Sequence, residues 1–231
     1  MHEDLMCLQG MDAHDRAATK ARRQAQALRD DRGARVAAVG ACEEALTRLE
    51  QSLSEERAAE RSTHRDLEQV RTYRSRAQRA LEQGLGDPEA AQRQLDQTSA
   101  QIDDLETALL ERLEAQDALE VQKQAAKEAL RAAHASLQEL MATYADTLAS
   151  HEQEADLQAG KLQDLASGLP SDLRVRYDGH RAKGRWAVAS IREGACNACN
   201  QVVRQQHISD LRRGLLKRCL GCHRFLVLAD G

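Results

Sequence analysis

The chain's 231 residues suffice for one or two domains, but only 2 % are aromatic and 30 % are charged. That balance excludes one large globular core and favours extended helical structure. The net charge of −4 hides a division: from residue 171 onward there are twelve Lys/Arg and five Asp/Glu, a net +7, so residues 1–170 carry −11. Segments of opposite sign point to different partners.

Residues from about 4 to 83 lack proline and read as one helix. Val39, Cys42, Leu46, Leu49 and Leu53, then Leu67, Val70, Ala77 and Leu81, recur at coiled-coil spacing. Gly33 and Gly40 weaken this helix by about 1 kcal/mol each relative to alanine and are expected to mark a bend or a close helix contact. Cys7 and Cys42 read as seam residues; at 1.5 Å rise per residue they lie about 50 Å apart on the helix and cannot bridge.

The helix is expected to stop at Gly84-Leu85-Gly86-Asp87-Pro88, where glycines end one helix, Asp87 caps the next and Pro88 takes its first position. A second helix is predicted from about 88 to 167, with a seam through Leu95, Ile102, Leu105 and Leu109, then Ala126, Leu130, Ala133, Leu137, Leu140 and Tyr144. Two arms of about eighty residues, each roughly 120 Å if straight, joined by a short turn, imply an antiparallel coiled-coil hairpin over 1–170 with its tip near 84–88. Within it Glu56, Glu60 and Thr63 occupy seam positions. Pairing the arms about the tip sets them against the apolar segment around 105–117. Leu109, Leu110 and Leu113 are therefore expected to be incompletely covered and to dock a partner helix or a second copy.

Beyond Pro170 the composition changes, and 171–231 reads as a separate small basic domain. SDLRVRYDGHRAKG predicts a short helix capped by Ser171 or Asp172; RWAVASIREGAC a strand; VVRQQHISDLRRG a helical or irregular excursion; LLKRC and HRFLVLA strands. No internal repeat at a fixed period is evident. Four cysteines punctuate this segment as two Cys-x-x-Cys pairs, Cys196/Cys199 and Cys219/Cys222, nineteen residues apart. Each pair supplies two thiolates from one tight turn, and the intervening chain is long enough to close a tetrahedron, so all four are predicted to hold one structural Zn²⁺ with no open position. Iron also accepts four thiolates, but a single isolated ribbon more often holds zinc. His207 and His223 are alternative ligands that four cysteines make unnecessary.

Cations surround the pairs. Arg181, Lys183, Arg185, Arg204, Arg212, Arg213, Lys217 and Arg218, with Arg174, Arg176 and Arg224 nearby, are candidates for neutralising phosphates of RNA or DNA, with Trp186 or Phe225 stacking on an unpaired base. The opposing reading is compensation of a Zn–thiolate centre of charge −2. Metal-bound thiolates are occupied, and no other Cys/His/Asp set, phosphate loop or dinucleotide-binding glycine pattern is present, so the chain reads as non-enzymatic. No run approaches the eighteen apolar residues of a membrane span and no apolar signal core opens the sequence, which predicts a cytoplasmic protein with reduced thiols.

The stretches LPSDLRVRYDGHRAKGRWAVASIREGACNAC, LRRG and CLGCHRFLVL, together with the helical hairpin and its Gly/Pro tip, resemble the bacterial C4-type zinc-ribbon and coiled-coil-hairpin proteins. The resemblance implies a non-enzymatic regulator; some members bind the nitrogen-type alternative sigma factor, act in flagellar or type III secretion assembly, or bind messenger RNA. VVRQQH departs from the family's more apolar, proline-containing segment between the metal turns. The expected fold is mostly α, a long hairpin with a small zinc ribbon, and the expected function is an adaptor that binds macromolecules in transcription or secretion. Two alternatives are an RNA-polymerase secondary-channel factor working through Asp87 and Glu89, and a purely structural spacer.

Overall fold

A computed structural model describes residues 3–228. Helix α1 spans Glu3–Glu82 and α2 spans Pro88–Gly168, packed antiparallel as a hairpin. The short α3 (Ser171–Arg181) follows, then β1 (Val188–Arg192), β2 (Ala195–Cys196), α4 (Gln205–Arg212) and β3 (Phe225–Leu228). Contacts gather the chain into two compact units, Arg32–Met141 and the combination of Met1–Asp31 with Ala142–Gly231. No described helix is long and apolar enough to cross a membrane.

In the unit Arg32–Met141 the predicted seam is in place: Val39, Leu53, Leu67, Ala77 and Ile102 are buried. Gly33 and Gly40 have open space where a Cβ would stand, so neither marks a close contact. At the tip, Gly84 and Gly86 adopt positive φ, the left-handed region that glycine enters without steric cost. Asp87 caps α2 by accepting the backbone N–H of Glu89 at 3.1 Å, and Arg93 lies 4.0 Å from Asp87 and 3.8 Å from Glu89.

The middle of this unit differs from the expectation that polar α1 residues face leucines. Arg112 donates to Glu56 at 3.1 Å and to the Thr63 hydroxyl at 3.2 Å, and Gln116 donates to Glu60 at 2.9 Å. The reason is helical phase. From Leu105 and Leu109 the three-four stepping of the seam continues to Arg112 and Gln116, while Leu110 and Leu113 fall beside it, 62 % and 41 % exposed. Leu109 is half-buried. Polar thus meets polar inside the coiled coil. Flanking pairs, Arg57–Glu120 and Arg71–Glu106 at 2.8 Å and Lys123–Glu50 at 3.3 Å, hold the same antiparallel register.

The other unit joins the ends of both arms to the C-terminal segment, and the boundary drawn at residue 170 runs through it. Leu5, Leu8 and Met11 of α1 share one apolar cluster with Leu169, Tyr177, Ala187, Ile191, Ile208, Phe225 and Leu226. Gly10 lets the arms approach, since a Cβ there would stand 2.9 Å from Leu165 Cδ1. The Cys7 thiol donates to the Leu165 carbonyl at 3.2 Å, and burial, with Asp4 and Glu3 adding, raises its pKa. The sheet order is β2-β1-β3, β2 antiparallel and β3 parallel to β1. The cap of α3 is Pro170 rather than Ser171 or Asp172: its backbone is still non-helical, the helix already begins at Ser171, and no side-chain hydrogen bond caps it. The predicted LLKRC strand reduces to one bridge, Arg218 to Phe225.

Candidate metal centre

Two turns carry the four cysteines, and they have the same backbone. In the first, the Cys196 N–H donates to Gln201 O at 2.9 Å, Asn200 N–H to Cys196 O at 2.8 Å and Val203 N–H to Gly194 O at 2.8 Å. In the second, displaced by 23 residues, Cys219 N–H donates to Arg224 O at 2.8 Å, His223 N–H to Cys219 O at 3.0 Å and Leu226 N–H to Lys217 O at 2.9 Å. The bridges Ala195–Val202 and Arg218–Phe225 repeat the match. Asn200 and His223, each just after the second cysteine, have φ of 57° and 60°. The conformation suits Gly or Asn, so the repeat is a backbone repeat that side-chain identity conceals from the sequence.

This architecture brings the four predicted thiols together, all Sγ atoms within 4.8 Å of one another. Cys196 and Cys222 are 3.8 Å apart, Cys199 and Cys219 3.6 Å. A tetrahedron with metal–sulfur bonds of about 2.3 Å has sulfur–sulfur edges of about 3.8 Å, so the donor set fits one tetrahedral ion and forms no disulfide. Electrostatics agrees. Without a cation, burial pushes the Cys196 thiol up to about 12. Burial acts the same way on Cys222, but hydrogen bonds from the Arg224 backbone and side chain and from neighbouring thiols bring it down to about 7. Cys222 thus ionises more readily than a free thiol, whereas Cys196 is held protonated until a cation offsets its burial. Neither His207 nor His223 belongs to the cluster.

The cations are sorted by their partners. Arg181 pairs with Asp15 of α1, and Lys217 with Asp210 at 2.9 Å, which lowers the Asp210 pKa through that hydrogen bond. These two are structural. Lys183, Arg185, Arg204, Arg212, Arg213 and Arg218 are exposed; Arg213 adds its charge to that of Lys217 in lowering the Asp210 pKa. Trp186 is already engaged by two arginines. The guanidinium carbons of Arg16 and Arg181 sit 4.5 and 4.2 Å from its ring centroid, and Phe225 is fully buried.

Sequence reasoning missed the α1 residues that fasten this domain. Asp12 accepts the Val188 N–H at 3.3 Å and pairs with Arg16, whose guanidinium reaches the Val188 carbonyl at 3.4 Å. Asp15 accepts the Tyr177 hydroxyl at 3.1 Å and Arg181 at 3.0 Å. Both carboxylates are buried on the stripe that Leu5 and Leu8 begin. A carboxylate on an apolar stripe is costly unless paired, and that was the available signal.

No protein-family profile and no curated protein matches the sequence. Solved structures do. CT398 from Chlamydia trachomatis superposes with a TM-score of 0.78 at 14 % identity, covering 98 % of each chain. A protein from Mycobacterium smegmatis follows at 0.62 and 18 % identity, over 99 % of this chain and 100 % of that one. At these identities the likeness is one of fold.

Proposed function

We propose that this chain is a non-enzymatic, zinc-binding cytoplasmic adaptor. Its hairpin meets a protein and its basic ribbon meets nucleic acid or the transcription machinery, in keeping with the resemblance to the C4-type zinc-ribbon regulators. The observation that carries the reading is the cluster of four thiols at tetrahedral spacing, a donor set that saturates a zinc ion and leaves no position for substrate. Zinc is preferred to iron on the same ground as before, an isolated four-thiolate ribbon. Six exposed cations, of which Arg213 acts on a nearby carboxylate, Asp210, supply a surface for phosphates. Leu110 and Leu113, outside the seam, supply an apolar one. A secondary-channel role has less support, because Asp87 is committed to capping α2.

Purified full-length protein should hold about one Zn²⁺ per chain and bind RNA or DNA with an affinity that falls steeply with salt, as counterion release requires. Arg212→Ala with Arg213→Ala should weaken that binding without loss of zinc. Stoichiometric absence of metal in chelator-free preparations would overturn the zinc reading, and binding absent even at low salt would overturn the nucleic-acid reading. For the hairpin, Leu110→Ser with Leu113→Ser should abolish association with its protein partner or with itself in pull-down and light scattering while thermal stability changes little. A large stability loss with association intact would make these leucines hairpin core.

A further inference from the structure

The two cysteine turns share a backbone but not a surface. The tip of the first turn carries Asn197-Ala198; the second carries Leu220-Gly221, with Leu220 56 % exposed. At the position of Ala195 in the first turn, the second has Arg218. A metal turn needs neither a projecting leucine nor this arginine, since the first turn dispenses with both.

These additions border a cleft of about 340 Å³ between α3 and the second turn. Half-buried Leu173 and Leu216 line its floor beside Cys219 and His223, and the fully buried Phe225 lies beneath them. Arg176 of α3 and Arg218 are its exposed cations; neither has a carboxylate partner among the described residues. Lys217 at its edge is neutralised by Asp210, and Asp172 is the single carboxylate in the lining.

We infer that this cleft docks an acidic peptide segment of a partner protein through one apolar anchor side chain. The apolar floor and the exposed Leu220 would receive the anchor, and burying one Leu or Phe there strengthens binding roughly tenfold or more. Arg176 and Arg218 would select carboxylates on either side, and the net +7 of the segment from residue 171 draws acidic partners toward it. Arg218 belongs both to this cleft and to the cationic surface proposed above for nucleic acid, but a phosphate backbone gains nothing from an apolar anchor site, so the anchor distinguishes the two ligands.

The test is selection of random short peptides on the full-length, zinc-loaded protein. Selected peptides should carry Leu, Ile or Phe flanked by Asp or Glu. Leu220→Asp and Arg176→Glu should each raise the dissociation constant of a selected peptide about tenfold, and Val202→Asp, an exposed apolar position on the first turn, should leave it unchanged. Arg176 lies on α3, outside the metal turn, so its variant serves even if Leu220→Asp loses metal. Selection without acidic, apolar-anchored sequences, or peptides that bind both variants as tightly as the parent, would overturn the inference. So would oligo(U) RNA that displaces the peptide and itself loses affinity on Leu220→Asp, because the cleft would then be a nucleic-acid site. Loss of RNA binding elsewhere on the ribbon would leave the peptide result intact.

Discussion

Asp15 shows how much one side chain contributes to joining the ribbon and the hairpin base. It accepts from Tyr177 and Arg181, and Arg181 in turn lies against Trp186. Burial first, then the Asp15 and Asp12 charges, hold the Tyr177 phenol protonated well above its ordinary pKa of 10.0. A raised native pKa on an acid means that the neutral form stabilises the fold. That contribution is complete below pH about 10 and is lost as pH rises beyond it, since the unfolded phenol ionises first. Unfolding of the ribbon unit followed by tryptophan fluorescence should therefore show stability declining above pH about 10. Tyr177→Phe should flatten that decline, at a cost of about 1 kcal/mol near neutral pH for the lost hydrogen bond. An unchanged alkaline slope in the variant would assign the titration to another group.

At the scale of the element, the two long helices obey their heptads even where the seam turns polar. Glu56, Glu60 and Thr63 are met by Arg112 and Gln116, and a polar layer of this kind favours one register over others at some expense of stability. Replacing Glu56, Glu60, Arg112 and Gln116 together by leucine should raise the thermal midpoint, because apolar packing often exceeds a hydrogen-bonded polar layer by about 1–4 kcal/mol. It should also broaden the distribution of oligomers seen by light scattering. Arg112→Leu alone should destabilise by about 1 kcal/mol, a figure already discounted for partial exposure of the Arg112–Glu56 pair. A lower midpoint in the fourfold variant would mean the layer contributes stability rather than register.

Across the whole molecule, the cysteine turns and the ends of both arms form one folding unit. Leu5, Leu8 and Met11 sit in the same core as Phe225 and the cysteine turns, so a fragment beginning at residue 171 would lack part of its own core. Metal loss should accordingly be felt along the arms. In hydrogen exchange, Cys222→Ser or chelation should remove amide protection from 171–228 and also from 3–31 and 142–168, while Arg32–Met141 keeps its own, having its own seam. Protection retained at 3–31 in the apo protein would show that the base folds without the ribbon.

The sequence alone determined the two arms, the tip and the four cysteines that cluster. Heptad spacing, Gly84-Leu85-Gly86-Asp87-Pro88 and Cys-x-x-Cys are local patterns, and each acts within a few residues. Tertiary structure decided what depends on residues far apart in the chain. It alone set Asp12 and Asp15 beneath the ribbon, Arg112 opposite Glu56, and Arg181 in a structural rather than a phosphate-facing role. It also revealed two cysteine turns with one backbone, since hydrogen bonding between main-chain groups leaves little trace in side-chain identity. The physical reason is common to all of these. A charge or a polar group declares only that it needs a partner, and which partner it finds is settled by how the elements pack.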